Sequence, residues 1–274
     1  MIIRKLDSKW KAWIWTNISN GQNIDGIFTI LLNHGFEYDL IKNELEYEPN
    51  EELITKRKET QIELETDGIL NNSNLNKLLL DNPNCHRIES NFLEIYKIKD
   101  FIKDEECDQI IDEMSKDLKP STITNPYGNK TDRTSLTSHM LPTNLVFSSV
   151  DEKIHNFMKI PQKNGEILQG QKYLIGQEFK QHTDFFNDKE EYNKSHIGQR
   201  GQRTWTFLLY LNEVEKGGET KFTKINLEIK PKKGMAIVWN NLLPNFTGNT
   251  YSMHAGLPVI KGEKNIVTKW FRQN

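Results

Sequence analysis

Tyr173-Leu-Ile-Gly-Gln-Glu-Phe-Lys-Gln-His-Thr-Asp-Phe-Phe186 is the stretch on which the reading of this chain turns. His182 and Asp184 stand one residue apart in it. On a β-strand, residues two apart point to one face, so a strand here sets an imidazole beside a carboxylate. Such a pair is two thirds of the facial arrangement of two histidines and one carboxylate that holds non-haem Fe(II) with open coordination positions. The third ligand must be a histidine from elsewhere in the chain. His254, in Ser252-Met-His-Ala-Gly-Leu-Pro-Val259, is the best candidate, and Lys264 follows it ten residues later.

Several further blocks stand around these residues in a fixed order. Arg203-Thr-Trp-Thr-Phe-Leu-Leu-Tyr-Leu-Asn212 and Gly217-Gly-Glu-Thr-Lys-Phe222 lie between the two histidines. Pro231-Lys-Lys-Gly-Met-Ala-Ile-Val-Trp239 precedes His254, and Gly262-Glu-Lys-Asn-Ile-Val-Thr-Lys-Trp-Phe-Arg272 follows it. Taken together, the series resembles the catalytic domain of the prolyl 4-hydroxylase family, the 2-oxoglutarate- and Fe(II)-dependent dioxygenases. The resemblance runs from about Ser90 to Asn274.

Bulk composition bounds the alternatives. A chain of 274 residues suits one large domain and one small one. A net charge of −2 lacks the basic excess of a protein built to grip nucleic acid. The two cysteines, Cys85 and Cys107, are too few for a disulfide scaffold or a four-cysteine zinc site. There is no apolar run of membrane-spanning length and no signal-like N-terminus, so a cytoplasmic protein without membrane contact is expected.

Residues 1–48 read as a small three-helix, all-α module. Ser8 caps a first helix carrying Trp10, Trp13, Ile14 and Ile18 that ends near Gly21. Asn23 caps a second helix that stops at Gly35, and Leu40, Ile41 and Leu45 stripe the third. The corner at Gly35-Phe36 is loosely similar to a ubiquitin-associated module; a plain helical appendage is the alternative. Residues 49–89, rich in Glu, Lys, Asn and Asp, read as a charged linker with a helix over Glu51–Glu65 and turns at Asn71–Asn74 and Asp81–Asn84. Residues 90–274 form the catalytic domain. It opens with a strand at Phe92–Ile98, then a helix capped by Asp104 with Cys107, Ile110, Ile111, Met114 and Leu118 on one face and Cys107 buried. Short strands are expected at 167–175, 204–211, 235–239 and 266–271. Many short strands without alternating helices predict a mainly β fold with flanking helices, in the jelly-roll class. The resemblance implies its double-stranded β-helix form.

The resemblance also implies roles. His182, Asp184 and His254 would be the metal ligands, and with Lys264 the catalytic set. Fe(II), 2-oxoglutarate and O2 would be consumed or held there, with L-ascorbate as activating reductant. Lys264 would bind the distal carboxylate of 2-oxoglutarate, since an ammonium on a long stem suits a carboxylate at the end of a pocket. Tyr173, Thr220 and Trp270 would complete the cosubstrate site. Glu166 and Arg203 would line the peptide site, and the Arg133-Thr-Ser segment would lie near it. Residues 187–201 would form a lid, in which His196 binds nothing. The chain departs from the family at Phe179, where a tyrosine is usual. The leading expectation is 4-hydroxylation of prolyl residues in a peptide or protein. The alternatives are a hydroxylase of another residue or a small molecule, a nucleic-acid demethylase, and a metal-holding binding module without turnover. The last is disfavoured by the intact set of His182, Asp184, His254 and Lys264.

Overall fold

The computed structural model describes residues 5–33, 36–49, 79–123 and 128–274. The expectations of a stop at Gly35, a helix over Glu51–Glu65 and turns at Asn71–Asn74 lie outside the described residues. The chain divides into two compact units, residues 1–75 with Pro244–Thr247, and residues 76–243 with 248–274.

The first unit contains α1 (Ser8–Ser19), α2 (Ile24–Asn33) and α3 (Tyr38–Leu45). Its core is Ile14, Ile27, Phe28, Leu31, Phe36, Ile41 and Leu45, one apolar stripe from each helix. Trp10 and Trp13 meet edge to face at 5.5 Å against this core, whereas Trp15 is exposed. The cap of α1 differs from the sequence reading. The Asp7 carboxylate accepts from the backbone N–H of Trp10 at 2.9 Å, and Ser8 is the first helical residue. Adjacent Asp and Ser are equally good caps, so sequence alone gives no means of choosing between them.

The second unit is built from antiparallel strands. They are β1 (Cys85–Arg87), β2 (Ile95–Ile98), β3 (Lys119–Pro120), β4 (Leu136–Met140), β5 (Leu168–Tyr173), β6 (Phe179–His182) and β7 (Arg203–Tyr210), followed by β8 (Lys216–Gly217), β9 (Thr220–Phe222), β10 (Leu227–Ile229), β11 (Ala236–Asn240), β12 (His254–Gly256), β13 (Val259–Lys261) and β14 (Lys264–Arg272). The large sheet has the order β1-β2-β11-β7-β14-β5-β4-β3, and a smaller one runs β10-β9-β12-β6. This is the jelly-roll arrangement expected. Leu208, Tyr210, Ile237, Trp239 and Ile266 from the large sheet pack with Phe222 and Ile229 from the small one, forming the core between them. The outer face of the large sheet is covered by helices α4 (Asp104–Met114) and α5 (Leu145–Met158). Phe207 points that way and meets Phe101 and Phe157. Burial on both faces explains why β7 and β11 read as largely apolar runs rather than alternating ones, whereas β14, equally buried, carries Lys264, Asn265, Thr268, Lys269 and Arg272 among its apolar residues.

Three local expectations are corrected. Cys85–Arg87, read as linker, is an edge strand paired with β2; a three-residue strand is too short to show a period. Lys103, not Asp104, precedes α4, and its N–H donates to the Glu106 side chain at 3.1 Å. The segment 187–201, expected as a lid with no helix assigned to it, contains α6 (Glu191–Ile197). Cys107 is buried as expected, and burial pushes its thiol up to about 11.

The turn at Gly217 requires glycine. Its φ is +76°, and a Cβ would meet the Pro258 carbonyl oxygen at 2.3 Å. Gly217→Ala is expected to cost at least about 2 kcal/mol, read as a lowered urea midpoint with an unchanged slope.

Candidate active site

β6 and β12 are neighbours in the small sheet, and His182 is paired directly with His254. Their imidazole centroids lie 4.2 Å apart. His182 Nδ1 meets the Lys180 carbonyl at 2.8 Å, and His254 Nδ1 meets that of Ser252 at 2.9 Å. A carbonyl only accepts, so each Nδ1 carries the proton and each Nε2 presents a lone pair. Asp184 lies just past the end of β6, so strand alternation alone does not place it, yet its carboxylate turns inward. Asp184 Oδ1 is 3.8 Å from His182 Nε2, and Oδ2 is 3.9 Å from His254 Nε2. The donor atoms of all three residues lie within 4.8 Å of one another, the one such cluster among the described residues. Two imidazoles and a carboxylate so placed fit a first-row divalent ion, whose bonds to such ligands are roughly 2.1 Å long.

Electrostatics agree with that use. Burial, reinforced by His254, holds His182 well below the ordinary imidazole range, so the ring is neutral. Burial would raise the Asp184 carboxyl, but His254, His182 and Arg203 outweigh it and hold it below its ordinary value. Thr206 Oγ1 donates to Asp184 Oδ2 at 2.7 Å. Phe179 stacks on His182 with centroids 3.5 Å apart, so the position where the family usually has tyrosine is here an apolar cover.

Two spaces meet at these residues. One is a narrow slot running inward between the sheets, lined by Tyr173, Thr220, Gly256, Lys264 and Thr268 among others. Lys264 and Tyr173 are cross-strand partners on β14 and β5. Lys264 is only 1% exposed, and no carboxylate among the described residues forms an ion pair with it. Its ammonium lies 5.3 Å from the Tyr173 ring and 5.8 Å from the Tyr210 ring. Tyr210 Oη meets Thr220 Oγ1 at 2.8 Å. Glu219 attracts it without pairing with it, and a buried cation without an ion-pair partner marks the place of an anionic ligand.

The other space is an open cleft of about 570 Å³. Arg133, Phe179, Tyr192, Arg203 and Trp270 are on its walls. Arg203 lies over the Trp270 ring at 4.0 Å. Glu166 does not line the cleft. Its oxygens accept from Arg203 Nε and Nη2, both at 2.7 Å, and from Arg272 Nη1 at 2.9 Å. The expected peptide-site pair is therefore one groove residue, Arg203, and one residue that steadies it. Trp270 borders both spaces, and its indole N–H is buried without a partner. His196 stacks on Phe186 at 5.5 Å and is not part of the cluster of His182, Asp184 and His254.

Comparison with known proteins agrees with this geometry. The sequence profile of the 2OG-Fe(II) oxygenase superfamily matches residues 168–272. Prolyl 4-hydroxylase 13 of Arabidopsis thaliana is 33% identical over 198 residues, covering 65% of this chain and 70% of that protein. Probable prolyl 4-hydroxylase 9 of the same plant is 33% identical over 195 residues, covering 63% and 66%. The crystal structure of the viral collagen prolyl hydroxylase of Paramecium bursaria Chlorella virus-1 in its 2OG complex superposes with a TM-score of 0.53. Identity is 30%, over 65% of this chain and 95% of that one. The chain belongs to the prolyl 4-hydroxylase-like 2OG-Fe(II) oxygenases. The chain spans about two thirds of the length of the curated plant relatives.

For an oxygenase of this family, Lys264 has a measurable consequence. Burial lowers its pKa to about 7 in the ligand-free pocket. A dicarboxylate is held by the charged form. Binding is therefore expected to be pH-independent below pH 7 and to weaken by up to about tenfold per pH unit above it. Calorimetry in buffers of different ionisation enthalpy should show a proton taken up on 2-oxoglutarate binding at pH 8 and little at pH 6. The empty protein shows the opposite sign. The unfolded lysine titrates near 10.5, so the unfolded state binds more protons between pH 7 and 10.5, and this group's contribution to stability rises across that window.

Proposed function

We propose that this chain is a 2-oxoglutarate- and Fe(II)-dependent dioxygenase that hydroxylates prolyl residues, at the 4-position, in a peptide or protein. The observation that carries the reading is the meeting of three features at one point. His182, Asp184 and His254 converge where a slot ending in the unpaired ammonium of Lys264 meets an open cleft of about 570 Å³. The prolyl target is supported by the plant and viral relatives, which are named as prolyl hydroxylases.

His182 Nε2, His254 Nε2 and Asp184 hold the Fe(II). Lys264 binds the distal carboxylate of 2-oxoglutarate, with Thr220 and the Tyr173 phenol as hydrogen-bonding neighbours. When bound, iron and 2-oxoglutarate supply the oxidative chemistry, in which O2 and the oxo acid give succinate, CO2 and one oxygen atom delivered to a C–H bond. The protein's own part is placement. The backbone carbonyls of Lys180 and Ser252 keep both imidazoles in the ligating tautomer. Phe179, Phe222 and Trp239 wall the ligands and exclude water. Arg203, held by Glu166 and stacked on Trp270, presents donors toward a peptide in the cleft. Arg133 sits where slot and cleft meet, over the Phe179 ring at 4.9 Å. L-ascorbate is the reductant that keeps the iron ferrous between cycles. No helix among the described residues is long and apolar enough to cross a membrane.

Succinate release with proline-containing peptides, and the mass gain of one oxygen atom on proline, test the proposal together. Turnover should vanish in chelator and return with Fe(II). His182→Ala should lower it more than about 10²-fold. Lys264→Ala removes one partner of a buried ion pair, so the 2-oxoglutarate requirement should rise about 10²-fold or more. Turnover stimulated only by peptides without proline would overturn the prolyl assignment.

A further inference from the structure

β7 carries one hydroxyl into a wall of aromatic residues. Thr206 is completely buried between Trp205 and Phe207 in sequence, and it pairs across the sheet with Trp239 of β11. Its hydroxyl belongs to a chain of three hydrogen bonds. Trp239 Nε1 donates to Asn241 Oδ1 at 2.9 Å. Asn241 Nδ2 donates to Thr206 Oγ1 at 2.8 Å. Thr206 Oγ1 donates to Asp184 Oδ2 at 2.7 Å.

The direction of this chain is fixed by chemistry. An indole N–H only donates, so the Asn241 oxygen faces Trp239 and its amide nitrogen faces Thr206. The threonine oxygen is then an acceptor, and its single proton is left for the carboxylate. One oxygen of Asp184 is thus engaged from behind, and among the described residues no hydrogen-bond donor is seen on Oδ1.

A second route leaves the same asparagine through its main chain. The Asn241 carbonyl accepts from Asn249 N–H at 2.8 Å. Asn249 Oδ1 caps the turn at Tyr251 N, 3.0 Å away, and its carbonyl accepts from Ser252 Oγ at 2.7 Å. The Ser252 carbonyl is the acceptor for His254 Nδ1. Trp239, meanwhile, meets the His254 ring edge to face at 4.8 Å. Asn241 and Ser252 are fully buried and Asn249 nearly so.

We propose that Asn241 is the positioning residue of this metal centre. Its side chain sets the Asp184 carboxylate through Thr206, and its backbone sets the His254 ring through Asn249 and Ser252. Two ligands of the small sheet are thereby oriented by one residue just past the end of β11 in the large sheet, which touches neither of them. The inference rests on the reading of His182, Asp184 and His254 as metal ligands.

The test is the affinity of the full-length protein for Mn(II), measured anaerobically without substrate, so that no turnover is involved. Groups that hydrogen-bond to metal ligands typically control affinity by about 10–100-fold. Asn241→Leu and Thr206→Val are expected to weaken Mn(II) by about that factor, and Thr206→Ser, which keeps the hydroxyl, to stay within about threefold of the parent. Trp239→Phe keeps the ring and removes only the N–H. It is expected to weaken binding about threefold or more, and it carries the test if the other two do not fold by circular dichroism. The Co(II) visible spectrum of Asn241→Leu should also change in band position, reporting altered coordination. Folded Asn241→Leu, Thr206→Val and Trp239→Phe that all bind Mn(II) like the parent, while His182→Ala does not bind it, would overturn the inference alone. Unchanged binding in His182→Ala would overturn the metal-centre reading and this inference with it.

Discussion

The register of β6 against β12 is the constraint on which the site depends. His182 and His254 are opposite one another because these two short strands pair at that residue, with an irregularity just beyond it before Gly256 meets Phe179. Side chains alternate along a strand, so a slip of one residue would turn one imidazole away from the interior. β12 is held on its other edge as well, where His254 is opposite Phe222 of β9. Phe222 in turn packs on Trp239 of the large sheet at 5.2 Å. The apolar core between the sheets therefore locks the register that sets the two nitrogens side by side, and packing energy becomes ligand geometry.

The slot behind them works against stability. Lys264 is as buried as the aromatic residues beside it, yet it lacks the carboxylate partner that a buried ammonium ordinarily requires. Compare Lys269, on the other face of the same strand. It is equally buried, but it donates to Asp151 at 2.6 Å. Two lysines five residues apart on β14 thus show both states of the same group, one satisfied within the chain and one left to be satisfied by a ligand. A ligand that completes Lys264 binds only the folded state and so stabilises it by mass action.

What was legible in the sequence was whatever depends on local pattern or on spacing along the chain. The segments of β7, β11 and β14 rich in β-branched and aromatic residues, the helical stripes of residues 8–45, and His182, Asp184, His254 and Lys264 are of this kind. Less legible was what depends on which strands become neighbours. Tyr210, Thr206, Asn241 and Trp239 each sit in runs that read as ordinary strand or loop, and only the pairing of β7 with β11 and β14 gives them partners. Arg133 was visible as part of a polar segment, but its place between slot and cleft follows from the bridge between its backbone and Phe179. Glu166 illustrates the converse. The family resemblance set it at the peptide site, but two arginines from β7 and β14 take both of its oxygens.

That triple of Arg203, Glu166 and Arg272 bears on the segment over the cleft. Burial would raise the Glu166 carboxyl, but the two guanidinium groups outweigh it and hold it ionised. Arg272 also donates to the carbonyls of His196 and Ile197 at the end of α6, where the carbonyls of a helix lack internal partners. Phe186 has Arg203 at 4.9 Å and Arg272 at 5.0 Å from its ring centroid, and the His196 ring stacked on it. The end of α6 is thus tied to the same carboxylate that steadies Arg203 in the cleft. A guanidinium serves here because one planar group must reach a carboxylate, a pair of carbonyls and an aromatic face at once. A lysine at 272 would offer a single point of charge and could not make all three contacts, so the end of α6 and the groove arginine would lose their common anchor.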